Sequence, residues 1–182
     1  MIIKQLNSFT AEDLKSLGKY GYYANEKYIV EKYTVNDELM MRFRKEPLTE
    51  LFNKDWPVLQ SDLEYYSSSI KKGNCFAAYL NDELVGVLIL EIREWNKTLF
   101  IDLIHVSDKY QNKGIGKALL AKAKEIAILS NLRIIGLETQ NTNVNAIEFY
   151  KKNGFTIDGF DLSYYDNYYP NNEVAIFMKC KL

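Results

Sequence analysis

A chain with one histidine and two cysteines has little from which to build a metal centre or a disulfide framework. Cys75 and Cys180 lie far apart, each in an apolar strand-like run, so both are expected as buried free thiols. No charge of one sign dominates. The 23 Lys and Arg stand against 24 Asp and Glu, a formal net charge of −1, which argues against general nucleic-acid binding. No run is long and apolar enough to span a membrane, and the opening M-I-I-K-Q-L-N lacks a signal peptide's apolar region. Low-complexity tracts, internal repeats and an interdomain linker are also missing. These absences predict a cytoplasmic protein of a reducing compartment, without metal, membrane or nucleic acid.

What is there is a chain of 182 residues, 47% hydrophobic, enough for one domain over 1–182 with a proper core. Its 14 tyrosines are a surplus that suits the rim of a core or a half-wet pocket. The stretch 99–120 organises the rest: L-F-I-D-L-I-H-V, then S-D-K-Y-Q-N-K-G-I-G, then K-A-L-L. Strand formers dominate 99–106, and from Ile115 the apolar residues Leu119, Ala123 and Ile126 recur at helical spacing. Gly114 and Gly116 permit a tight turn beside a ligand. A helix start offers unpaired N–H groups and the positive end of a dipole, so it favours an anion. A Walker loop is excluded, because Gln111 stands where its first glycine is needed and Ala118 follows Lys117. A dinucleotide fingerprint is excluded, because Leu119 occupies the position of its third glycine.

Coarse periodicity predicts the other elements. A strand is expected at 2–6, a helix start at Thr10 with Asp13 in the capping-box position, and a hairpin over 27–45 turning at 35–37. Pro47 and Pro57 bracket an expected helical turn at 49–53. A helix is expected from Ser61 to about Lys72, and strands at 75–80 and 84–93 joined by a tight turn. The helix at 114–129 leads by a right-handed crossover to a parallel strand at 133–139. A helix at 143–153 and strands at 155–164 and 174–181 close the chain.

The pattern Gln111-x-x-Gly114-x-Gly116 after a strand ending in Val106 is followed by Asn143-x-x-Ala146-x-x-Phe149-Tyr150-x-x-x-Gly154-Phe155. The two motifs, in this order, resemble the GCN5-related N-acetyltransferase (GNAT) family. That resemblance implies an α/β (α+β) fold: a mixed, mostly antiparallel sheet with a splayed parallel strand pair and flanking helices. It implies an acetyl-CoA-binding core at 75–182 and a variable acceptor-side part at 1–74, including the hairpin. It places acetyl-CoA, as cosubstrate, on the backbone of Ile104, His105 and Val106 and on the loop Gln111, Asn112, Lys113, Gly114, Ile115, Gly116 and Lys117. Asn143 and Tyr150 complete that set, though an N-cap role serves Asn143 as well.

Acetyl transfer to an amine needs a base for the ammonium proton, a donor for the oxyanion and an acid for the departing thiolate. The resemblance implies that Tyr150 is that acid. Asp102, a carboxylate in an otherwise apolar strand, is a base candidate or a paired structural group. Glu138 in L-E-T-Q is a second candidate, or a rim residue. Where many family members carry another acid, this chain has Leu103. His105 is expected on the sheet face opposite Asp102, as a covered imidazole. The stretches R-E-W-N-K-T-L-F-I-D, L-E-T-Q-N-T-N and F-Y-K-K-N-G-F further resemble the streptothricin acetyltransferases. That likeness implies a cationic amine acceptor among Asp102, Glu138, Asp161, Tyr164, Tyr165 and Asp166. A polyamine, another amine antibiotic, a protein N-terminus, or acetyl-CoA binding without catalysis are the alternatives. Strand edges and aromatics near 164–169 would permit a homodimer.

Overall fold

The computed structural model describes residues 1–165 and 173–182. It contains nine strands and four helices among the described residues: β1 Ile2–Gln5, α1 Ala11–Ser16, β2 Gly21–Val35, β3 Glu38–Asp55, α2 Gln60–Ile70, β4 Phe76–Leu80, β5 Glu83–Arg93, β6 Thr98–Val106, α3 Ile115–Leu129, β7 Ile134–Gln140, α4 Val144–Lys152, β8 Thr156–Asp161 and β9 Ala175–Lys181. Among the described residues, no helix is long and apolar enough to cross a membrane. Two compact units share these elements. The first is Met1–Gly21, Asp55–Leu137 and Lys179–Leu182; the second is Tyr22–Lys54 and Glu138–Met178.

In the first unit the strands follow the order β1-β4-β5-β6-β7. The neighbours are antiparallel except β6 and β7, which are parallel as the crossover through α3 requires. On one face lie Leu6, Phe9, Leu14, Leu17, Tyr66 and Ile70, packed against Cys75, Ala77, Val87 and Ile89 of the sheet. Helix α3 buries Ile115, Leu119, Leu120, Ala123 and Ala127, the stripe its periodicity predicts. Both cysteines are buried and unbridged. Helix α1 starts on the capping box that Thr10 and Asp13 form. The expected tight turn between β4 and β5 puts Asn81 and Asp82 at φ 48° and 64°.

In the second unit the order is β7-β9-β8, and β2 pairs β3 as a separate two-stranded ribbon. The turn falls at Asn36-Asp37, where both residues have positive φ. The ribbon is much longer than 27–45, and the helical turn expected at 49–53 is strand throughout. Most of β3 is exposed, so it carries no core-facing alternation for a pattern reader to detect. Ribbon pairing overrides local preference there; Phe52 lies 6.1 Å from Tyr22 across it. Tyr28 stacks on Phe43 at 4.1 Å, and Phe43 meets Phe160.

Candidate active site

The glycine turn sits where β6 runs into α3. Ser107 N–H donates to Val85 O at 3.0 Å, and Tyr110 N–H to Ser107 O at 2.8 Å, closing a short 3-10 turn at Asp108–Tyr110. Tyr110 Oη donates to Glu83 Oε2 at 2.7 Å, and Lys113 lies over the Tyr110 ring. Gln111, Asn112, Lys113 and Gly114 are exposed. Asn112 has φ 60°. Gly114 is the N-cap at φ 82°, with nothing within 4 Å of where a Cβ would sit. Unlike α1 and α4, α3 has no side-chain cap, and no acid lies in its first turn. The N–H groups of Ile115, Gly116 and Lys117 are therefore left for an anion. A pyrophosphate fits such a start.

Strand β6 pairs in parallel with β7 from Thr98 opposite Ile134 to Ile101 opposite Leu137. From Leu103 to Val106 its registered partner is β5, with Ile104 opposite Leu88 and Val106 opposite Gly86. The edge turned from β5 is where an extended chain with amides, such as a pantetheine arm, would pair.

A bulge reshapes the strand just there. Ile89 faces Leu103, but Leu90 faces Ile101, so Asp102 is the extra residue. Its consequence corrects the expected placement of His105. Strict alternation puts residues three apart on opposite faces; the inserted residue returns them to the same one. His105 is opposite Val87, a member of the α1/α2 core, and meets the Tyr20 ring edge-on at 6.1 Å. Asp102 feels Tyr65 of α2, on that same layer, and its Oδ2 is buried without a hydrogen-bond partner among the described residues. Burial pushes the Asp102 carboxyl up to about 6, aided by Glu91 and opposed by Tyr65, Arg93 and Lys72. Burial lowers the His105 pKa, and its Nε2 has no partner among the described residues. Burial thus favours the neutral imidazole, which packs on the Tyr20 ring.

The second unit holds a cluster of carboxylates and phenols. Tyr165 Oη donates to Glu138 Oε1. Burial raises the Glu138 carboxyl to about 7; Tyr165 opposes the rise and Glu173 adds to it. Tyr150 is buried between Phe149 and Phe155, with centroids at 5.3 and 5.4 Å. Burial and then the charge of Glu138 raise its hydroxyl's pKa, so it remains a protonated donor. Asn143 caps α4, accepting from Ala146 N–H at 3.3 Å, which leaves its amide NH2 outside the cap. Asp161 Oδ1 accepts from Ser163 N–H at 2.9 Å, and Tyr164 packs edge-on against Phe177. Asp166 lies outside the described residues.

Sequence reasoning passes over the partners of this cluster. Glu173, its side chain 2% exposed, pairs with Lys54 Nζ at 2.5 Å. It also accepts from Thr142 Oγ1 at 3.1 Å and Tyr22 Oη at 3.4 Å. Asn141 is buried and makes four links: its backbone and side chain each bond both Tyr28 and Val174. The available signal is the run L-E-T-Q-N-T-N itself, where polar residues continue directly from a buried strand.

The acetyltransferase (GNAT) family model matches residues 40–155. Streptothricin acetyltransferase A of Bacillus subtilis (strain 168) is 33% identical over 135 residues, 74% of this chain and 76% of that protein. A streptothricin acetyltransferase of Escherichia coli is 38% identical over 104 residues, 57% of this chain and 59% of that one. A Bacillus anthracis structure described as a streptothricin acetyltransferase, in complex with acetyl coenzyme A, aligns at 31% identity with a TM-score of 0.75, covering 100% of this chain and 99% of that one. The chain belongs to the acetyltransferase (GNAT) family and is an N-acetyltransferase.

Proposed function

We propose that this GNAT-family enzyme moves an acetyl group from acetyl-CoA to a primary amine of a small polycation, streptothricin being the acceptor its relatives favour. The observation that carries the donor half is the uncapped, acid-free start of α3 behind Gly114. Its amides take the pyrophosphate, and the open edge of β6 pairs with the pantetheine arm. In a ternary complex the neutral amine attacks the thioester carbonyl. A C–N bond forms, the C–S bond breaks, and coenzyme A leaves as a thiolate. A backbone N–H at Ile104–Val106 stabilises the oxyanion. Tyr150, kept protonated by burial, donates to the thiolate.

The ammonium proton must go to a base, and an ordinary carboxylate is a poor one at neutral pH. Glu138 at about 7 and Asp102 at about 6 are better matched. Glu138, with Tyr165 as its hydrogen-bond donor, is the first choice; Asp161, Tyr164 and Asp166 contribute to acceptor binding, and Asp102 contributes charge. The test is acetyl-CoA-dependent thiol release with streptothricin, spermidine and a short peptide. Streptothricin-dependent release is expected, slowed about a hundredfold in kcat by Tyr150→Phe. No release with any acceptor, although coenzyme A binds, overturns the catalytic reading. Release with spermidine or peptide alone overturns the choice of acceptor.

A further inference from the structure

Asp108 ties the glycine turn to a distant part of the first unit. Its backbone N–H donates to Leu17 O at 3.2 Å. Its Oδ2 accepts from Lys19 N–H at 2.8 Å, 89 residues away in sequence. Its Oδ1 accepts from Gln111 Nε2 at 3.1 Å. One side chain thus joins the end of α1 to the first residue of the motif. The α1 end is itself fixed, because Leu17 is fully buried. Between the two Asp108 contacts stands Gly18. It has φ +98°, and a Cβ there would lie 2.4 Å from Asp108 Oδ2 and 3.0 Å from its Cγ. The position therefore excludes side chains twice, by conformation and by contact.

The exposed residues 111–114 have little packing to hold them, so these bonds set where the α3 start presents its amides. The donors also matter electrostatically. A bare carboxylate close to a pyrophosphate site repels it, whereas one engaged by a backbone N–H and a side-chain amide is turned inward. We propose that Asp108, locked by the Gly18-Lys19 turn, is a positioning residue for the acetyl-CoA pyrophosphate. The proposal rests on the reading of the α3 start given above. It makes Gly18, a residue of the acceptor-side segment without a place in the glycine motif, a determinant of donor affinity.

The experiment is calorimetric titration of coenzyme A, without turnover, into wild type, Asp108→Ala, Asp108→Asn, Gly18→Ala and the double variant Gly18→Ala/Asp108→Ala. Asp108→Ala and Gly18→Ala are each expected to weaken binding about tenfold. Asn can still accept from Lys19 and pair with a rotated Gln111 amide, so Asp108→Asn stays within about threefold. The double variant has already lost the link through which position 18 acts on the loop, so its loss stays below the sum of the two single losses. Wild-type affinity in Asp108→Ala, or additive losses in the double variant, overturns the proposal. Wild type that fails to bind coenzyme A overturns the donor-site reading and this proposal with it. Variants that bind normally while wild type binds overturn only this one.

Discussion

The two units of the molecule handle polar groups in opposite ways. In the first, the candidate donor site is made of backbone: exposed residues 111–114, a left-handed Gly114 and the uncapped amides of α3. In the second, the polar chemistry is made of side chains out of water: Glu173 with Lys54, Thr142 and Tyr22, and Glu138 with Tyr165. A backbone site asks little of most side chains and much of glycine. A buried side-chain network asks every member to be present, because an orphaned charge there is far costlier than an orphaned surface group.

The strongest way to break this contrast is Lys54→Met. Removing the cation leaves Glu173 charged and nearly inaccessible, and denaturant titration is expected to show a loss of about 3–5 kcal/mol. Adding Glu173→Gln should return a good part of it. A double variant no more stable than the single would show that the pair is not what Lys54 supplies.

A smaller effect follows from Glu138. Its folded carboxyl is raised from 4.5 to about 7, so the protonated form is favoured by folding. That stabilising contribution is whole below about pH 4.5 and is lost as pH rises through 7. Glu138→Gln, uncharged throughout, should remove roughly 1–3 kcal/mol of the stability decline seen in wild type between about pH 5 and pH 8. The acid limb of the wild-type rate profile should disappear with it. An unchanged stability decline would mean that Glu138 ionises freely in the fold.

The smallest effect lies in the backbone site. Gly114→Ala meets no atom within 4 Å, so only its φ of 82° resists the new side chain. The expected cost is about 1 kcal/mol in stability, with coenzyme A affinity lowered about fivefold. Gly116→Ala, in ordinary helix, should leave stability unchanged or raise it by up to about 1 kcal/mol, which sharpens the distinction between the two glycines. Equal behaviour of the two would show that the left-handed turn is not what Gly114 is for.

The same contrast explains which features are legible in the sequence. The α1 capping box, the Asn143 cap and the glycine turn each lie within a few consecutive residues, and each is visible as spacing. Strand β6 is visible as an apolar run, but the bulge at Asp102 is not, because a bulge is a property of two strands in register. That single insertion reverses the expected face of His105. The ribbon over 49–53 escapes pattern reading because its mostly exposed residues carry no periodicity, and pairing with β2 alone makes it a strand.

Outside the ribbon at 49–53, local sequence suffices for the order of elements, the crossover through α3, the caps and the family motifs, since all of these are demands the backbone makes on neighbouring residues. Which carboxylates are protonated near neutrality, and what holds them, is settled by packing alone. Lys54 and Glu173 are 119 residues apart, and Tyr22 and Thr142 are 120 apart. No local pattern records a meeting at such distances, because the cost of burying a charge depends on everything that packs around it.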